Sequence, residues 1–284
     1  MKFKIFLLMF SLSFSFASQA QVRVISAGAN VTEIVIALGA LDTVVAVDST
    51  SRALVDDSIP VVGYHRALAS EGLLSLEPTL LIGSEEMGPK NTLEVLSNAG
   101  VEISTLPATK GVDGLLERIA HTSKVLSKEM QGQALVEQTR AEIQSLDDSR
   151  KQLLETQVAP NRGMFVMSSD GRKMTVAGDK TSASELLHLA GIESVTSGHF
   201  ESYKPLSPEA ILELQPDVIL ISSHSLQAIG GVDAMLEMQP LLKLTPAGRD
   251  RRIVSIEGTA LIGGVGIKTI ELAQVLIEQQ LDEL

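Results

Sequence analysis

The sequence contains no cysteine and no tryptophan, and only two of its 284 residues are tyrosine. Without cysteine there is no disulfide, no thiolate metal site, no thiol nucleophile and no iron–sulfur cluster. The same absence removes the residue to which a bacterial lipoprotein attaches its lipid. Aromatic residues make up 3% of the chain, too few for the stacking platforms that bind bases. Either tyrosine therefore stands out wherever it falls. Positive charge is short as well: 23 Lys and Arg face 35 Asp and Glu, a formal net charge of -12. The pI is about 4.9. Such a chain is repelled by nucleic acid and by anionic lipid, and no nucleic-acid partner is expected.

Long apolar runs are confined to the N-terminus. Lys2 and Lys4 precede an apolar stretch from Ile5 to Ala17, and Ser18-Gln19-Ala20 supplies small residues for cleavage. This is the pattern of a secretory signal peptide, too short to span a bilayer. Residues 1–20 are therefore set apart from the fold. The mature chain is expected to be a soluble monomer, not embedded in a membrane. Lacking a lipid anchor, it would be retained only where an outer membrane encloses it, so the periplasm is expected.

The remainder has an ordinary globular balance, with 44% hydrophobic and 20% charged residues. Strands are expected at Val22–Ser26, Thr43–Val47, Leu80–Gly83 and Val101–Ile103, with a helix from Thr32 to Leu38 closed by Gly39. The second half repeats the plan. It has strands at Met164–Met167, Val218–Ile221 and Arg252–Ile256, a helix at Ser184–Leu189 and a last helix from Glu271 to Leu281. Alternating strands and helices predict an α/β fold with two Rossmann-like lobes and mainly parallel sheets. The halves also agree residue by residue. Glu71-Gly72-Leu73-Leu74-Ser75-Leu76-Glu77-Pro78 matches Glu209-Ala210-Ile211-Leu212-Glu213-Leu214-Gln215-Pro216, and Thr32-Glu33 before Gly39 matches Ser184-Glu185 before Gly191. Between the halves, helical periodicity without proline runs from Val112 to about Thr156, and Gly132 is the one weak point of its later part, Glu129 to Thr156. That predicts a long rigid helical connection rather than a flexible hinge. The division expected is an N-terminal lobe at 21–111, connecting helices at 112–157 and a C-terminal lobe at 158–284.

Two lobes on a rod enclose a cleft, a preferred place for a ligand. Tyr64 lies seven residues before Glu71 and Tyr203 six before Glu209, so the tyrosines are expected at near-equivalent places facing it.

The run Gly63-Tyr64-His65-Arg66-Ala67-Leu68-Ala69-Ser70-Glu71-Gly72, followed by Leu74-Ser75-Leu76-Glu77-Pro78, resembles the signature of periplasmic haem-binding proteins of bacterial ABC haem importers, the HmuT, ShuT and PhuT group. Their motif reads Gly-Tyr-x-Arg-x-Leu-Ser-Ala-Glu-Gly, and Ala69-Ser70 swaps its central pair. The resemblance continues through Tyr203-Lys204-Pro205-Leu206-Ser207 and Leu244-Thr245-Pro246-Ala247-Gly248-Arg249. It implies a class III periplasmic binding protein and no enzymatic activity. It also implies ferric haem b as transported ligand, with Tyr64 as its axial iron ligand. Phenolate is a hard oxygen donor, and Arg66 would favour the anion or pair with a propionate. Other candidate haem contacts are Tyr203, His65 and His199, with His224 a further one at the cleft mouth. Lys204, Arg172 and Arg249 are candidate propionate partners. His121 and His188 read as structural. By the same resemblance an inner-membrane ABC permease, with its cytoplasmic ATPase, would dock on acidic residues of each lobe: Glu85 and Glu86 on the first, Asp233 and Glu237 on the second.

Rival readings are a binder of a ferric siderophore or corrinoid, and a scaffold with an empty cleft. No Gly-x-Ser-x-Gly elbow, phosphate loop or His-Glu-x-x-His motif supports an enzyme.

Overall fold

The computed structural model describes residues 22–282, so the expected signal peptide lies outside the described residues. The first lobe runs β1 (Val24–Ala27), α1 (Ala29–Ala37), β2 (Val44–Val47), α2 (Ser70–Leu74), β3 (Leu80–Gly83), α3 (Lys90–Asn98) and β4 (Glu102–Thr105). Two helices follow, α4 (Gly111–Val125) and α5 (Glu129–Thr156). The second lobe begins with β5 (Arg162–Met167), β6 (Met174–Ala177), α6 (Ser182–Leu189), β7 (Glu193–Ser194) and β8 (Tyr203–Leu206). It continues through α7 (Pro208–Leu214), β9 (Val218–Ser222), α8 (Ser223–Ile229) and α9 (Val232–Met238). It closes with α10 (Pro246–Arg249), β10 (Ile253–Ile256) and α11 (Ile267–Asp282).

The first sheet has the order β2-β1-β3-β4 and every pair in it is parallel. Helices cover both faces of such a sheet, which is why β1 and β3 are buried at every residue; β3 reads as an unbroken apolar run, and β1 is apolar apart from Ser26. The second sheet has the order β10-β9-β5-β6-β8. Its β10, β9 and β5 are parallel, but β6 runs antiparallel to both β5 and β8. This antiparallel pair is where the second lobe departs from the first.

The internal repeat extends to backbone detail. Glu77 and Gln215, each just before a proline, share the left-handed conformation at φ 48 and 46. Arg23 N–H donates to Thr79 Oγ1 at 2.9 Å, and Arg162 N–H donates to Asp217 Oδ2 at 2.9 Å. Each side chain pins the start of its lobe's first strand to the start of the strand beside it. Gly39 and Gly191 close their helices at φ 65 and 70, a conformation open to glycine without a Cβ clash.

The connection is a helical hairpin rather than one rod. It breaks at Ser127, which takes φ 53. Gly132 is not its weak point. A Cβ on Gly132 would lie 2.1 Å from Ser123 Oγ and 2.2 Å from Ser123 Cβ, so glycine lets α5 press against α4. Gly132→Ala should therefore destabilise the protein by about 1–3 kcal/mol. Overpacking then outweighs the gain of up to about 1 kcal/mol in helix propensity. Urea unfolding of both forms would test this, and equal midpoints would refute it.

The 28 residues of α5 span about 42 Å at 1.5 Å per residue. Its buried residues, Gly132, Thr139, Leu146 and Leu153, recur every seven positions and form one narrow stripe. Most of the remaining positions are polar, as suits a partly exposed strut, with Leu135, Val136 and Ile143 partly buried against the core. The lobes also share a core: Val31, Ile34, Leu115 and Ile119 belong to one apolar cluster with Leu261, Val265, Ile270 and Ile277. Arg118, 4% exposed, donates to Thr109 O at 2.9 Å and across the interface to Val265 O at 2.5 Å. Among the described residues, no helix is long and apolar enough to cross a membrane.

Candidate functional site

In each lobe the parallel strands end at the edge that faces the other lobe. Asn30, in the first turn of α1, donates to Gly263 O beyond β10. Glu33 on α1 accepts the N–H of Lys268 at the start of α11. Ligands of open α/β sheets bind outside the carboxyl ends of the strands. Polar side chains on that edge are therefore the candidates.

On the first lobe, Tyr64 lies beyond the end of β2. Its loop is held by backbone bonds on two sides. Ser49 N–H donates to Gly63 O at 2.7 Å, Leu68 N–H to Gly88 O at 2.7 Å and Gly88 N–H to His65 O at 2.9 Å. Gly63 takes φ 93, which a residue with a Cβ would resist. Residues His65–Ala67 form one 3-10 turn, so Tyr64, His65 and Arg66 fan out from a fixed base. Tyr64 is 43% exposed, large for an aromatic in so firmly held a loop.

Arg66 pairs with Glu86 at 2.5 Å, both side chains half-exposed. Its hydrogen bond to Glu86 raises the guanidinium pKa against a smaller desolvation effect, and the charges of Glu86 and Tyr64 add to it. Glu86 thus belongs to the Tyr64 group through its pairing with Arg66; Glu85 beside it is exposed too. His65, a candidate haem contact by sequence, is buried beneath Tyr64 rather than open to the cleft. It is 1% exposed, and its ring centroid lies 4.3 Å from that of Tyr64. The 3-10 turn, in place of an extended strand, brings the neighbouring side chains together. Its Nδ1 is 3.0 Å from Asp48 Oδ2 and its Nε2 is 3.9 Å from Glu86 Oε2.

Asp48 is the residue that sequence reasoning missed. It is fully buried just past β2. Burial opposes its charge, but hydrogen bonds from His65, Ser51, Thr50 and the Gly28 N–H prevail and hold its carboxyl below the usual range. The signal was present: Asp48-Ser49-Thr50-Ser51 directly after a buried strand is a capping sequence.

The second lobe presents Arg172 in the hairpin between β5 and β6, His224 after β9 and Glu257 after β10, all exposed. The repeat sets His224 in the second lobe where Glu86 stands in the first. Strand β9 follows Pro216 as β3 follows Pro78, and each residue lies eight positions after its proline.

Tyr203 corrects the expected symmetry of the tyrosines. It opens β8, where it pairs with Ala177 partway down the sheet. Burial raises its pKa, opposed by hydrogen bonds from the Thr181 side chain and the Ala183 backbone. The hydroxyl therefore helps hold the start of α6. Equal spacing in sequence became unequal position because the antiparallel β6–β8 pair has no counterpart in the first lobe. His199 is exposed in a turn closed by its own N–H on Thr196 O. That turn follows β7, which pairs with the beginning of β5, the end away from the cleft. Arg249 also lies away from the cleft edge: Ala247 in the same short helix bonds Pro216 O, ahead of β9. Lys204 lies over the Phe200 ring at 5.4 Å. Asp233 is paired with Arg251 at 2.7 Å, and Glu237 is exposed on the same helix. His121 bonds Ser104 and His188 bonds Arg150, in keeping with structural roles.

Comparison with solved structures finds the periplasmic haem-binding protein HutB of Vibrio cholerae, 40% identical, with a TM-score of 0.82 over 92% of this chain and 99% of that one. The haem-binding protein RhuT of Roseiflexus sp. RS-1 is 33% identical, with a TM-score of 0.83 over 92% of this chain and 98% of that one. BhuT, solved in complex with two haems, is 34% identical at a TM-score of 0.83, over 92% of this chain and 98% of that one. Among curated proteins, the vitamin B12-binding protein of Vibrio campbellii is 28% identical over 217 residues, 76% of each chain. The family model described as periplasmic binding protein matches residues 24–260. By that match, and by two α/β lobes joined through a long helix, this chain belongs to the periplasmic binding protein family.

Proposed function

We propose that the protein captures ferric haem between its lobes in the periplasm and delivers it to an inner-membrane ABC permease driven by a cytoplasmic ATPase. The observation that carries this reading is the half-exposed Tyr64 beside Arg66 on a firmly held loop at the strand-end edge. A phenolate is a hard anionic ligand of the kind ferric haem accepts. A free phenol has a pKa of about 10, so at neutral pH the iron and a nearby cation must supply the bias towards the anion. Arg66 is suited to that part. A haem propionate could take the place of Glu86 on it, both being carboxylates. The haem-binding neighbours at up to 40% identity support the same ligand.

In this reading residues 1–20 are a signal peptide cleaved on export, and the mature chain, residues 21–111, 112–157 and 158–284, acts as a monomer. Docking would use Glu85 on the first lobe and Glu237 on the second, since Glu86 and Asp233 already pair with arginines in the free protein.

A corrinoid is the second reading, favoured by the curated relatives named vitamin B12-binding proteins. The deciding experiment is an optical titration of the purified protein with ferric haem, cobalamin and a ferric siderophore in parallel. The expected outcome is saturable haem binding with a Soret band and phenolate-to-iron charge transfer, and no binding of the other two. Tight binding of cobalamin without a haem spectrum would replace the proposal with the corrinoid reading.

A further inference from the structure

We infer that His65 is a positioning residue, held by Asp48, whose ring sets the orientation of the Tyr64 phenol; the inference rests on the proposed role of Tyr64 as ligand. Buried polar groups are placed where they can be satisfied, and His65 is an unusual choice for a position 1% exposed next to an exposed tyrosine. Its Nδ1 is fixed on Asp48 Oδ2 at 3.0 Å. Asp48 is fixed in turn by Gly28 N–H at 3.0 Å, Thr50 Oγ1 at 2.8 Å and Ser51 Oγ at 2.8 Å. The histidine therefore cannot turn about its own axis without breaking a buried, charge-assisted bond. The Tyr64 ring rests against it at 4.3 Å with an interplanar angle of 56°, a tilted aromatic contact. The far nitrogen of His65 points towards Glu86, which holds Arg66. One rigid post thus touches the ligand residue and reaches towards the anchor of its cationic neighbour. An apolar side chain would fill the same space but leave the post untethered, and an exposed tyrosine on such a post would sample several rotamers.

Two substitutions divide the two properties. His65→Asn keeps a donor for Asp48 and removes the ring; His65→Phe keeps a ring and removes the donor. His65→Asn is expected to weaken haem binding at least fivefold and to shift the charge-transfer band, because Tyr64 loses its support. His65→Phe, whose ring is no longer tethered to Asp48, should fall between the wild type and His65→Asn in both band position and affinity, and wild-type values for it would overturn the part given to Asp48. A His65→Asn protein with wild-type band and affinity overturns the inference, as does a His65→Phe protein no better than His65→Asn. Should either variant fail to melt cooperatively, the contact is read in the unliganded protein by NMR. Tyr64→Leu, at an exposed position, should shift the His65 ring protons as the tyrosine ring current is lost. Unchanged His65 resonances would overturn the inference. Wild-type protein that binds no haem would defeat the functional proposal instead, and the NMR comparison would still decide whether the two rings pair.

Discussion

Tyr64→Ala is expected to weaken ferric haem binding by a hundredfold or more, about 2.7 kcal/mol, and to abolish the phenolate-to-iron charge-transfer band. Stability should hardly change. The side chain is 43% exposed, and its loop is held by backbone bonds of Gly63, His65 and Leu68 that the substitution does not touch. Surface truncations of that kind stay within about 0.5 kcal/mol. The loss would therefore report ligation and not folding. Removing the phenol leaves the porphyrin only its apolar contacts and whatever Arg66 does with a propionate. Some residual, spectrally altered binding is therefore expected at high haem concentration. Side-by-side titrations of the two proteins, with thermal melts as a control, would measure this. A variant with an unchanged spectrum and affinity would remove Tyr64 from the site.

The second large effect concerns stability and lies at the interface of the lobes. Glu33 is 7% exposed, and its pKa rises from 4.5 to about 7. Burial is the main cause, and it outweighs the N–H and the charge of Lys268, which favour the anion. Glu271 adds to the rise and the Ile267 N–H opposes it. In the unfolded chain the carboxyl loses its proton near 4.5; in the folded chain it keeps it to about 7. The folded state thus binds more protons between those values, and its stability falls as pH rises through that window. The contribution is fully present below the unfolded value and absent above the folded one. Its full size is about 3 kcal/mol. Other groups titrate too, and Asp48, with its carboxyl held low, changes stability in the opposite sense. The difference between the wild type and Glu33→Gln isolates the one group. Glutamine keeps an acceptor for Lys268 N–H without the charge. At pH 8 the variant should be the more stable by about 1–3 kcal/mol, and the two should converge near pH 5. Denaturation curves that stay parallel across that range would show that Glu33 ionises freely in the folded protein.

The fold was largely legible because its signals are local. Buried parallel strands must be apolar at every residue, so Leu80–Gly83 and Val218–Ile221 announce themselves. Helix ends need a residue tolerant of φ near 65, so Gly39 and Gly191 mark them. The repeat was legible for the same reason, since Pro78 and Pro216 end their helices wherever the chain goes. Legibility failed where a choice depends on distant partners. Ser127 rather than Gly132 breaks the connection, because α5 needs a bare backbone against Ser123 and only packing reveals that. The antiparallel β6–β8 pair was missed because each strand is four residues long and β8 is partly exposed.

Of the candidate site, the sequence by itself singled out Tyr64 and Arg66, since a rare residue type in a dense motif needs no partner to be noticed. It also determined the two-lobed plan, the acidic balance and the lack of thiol chemistry, all of which follow from composition and local pattern. Only the tertiary structure decided that His65 is buried on Asp48, that Glu86 belongs with Arg66 and that Tyr203 holds the start of α6. These depend on which strand ends meet. Distance in space between residues 17 or 20 apart in the chain is set by sheet order and register, which no local pattern encodes.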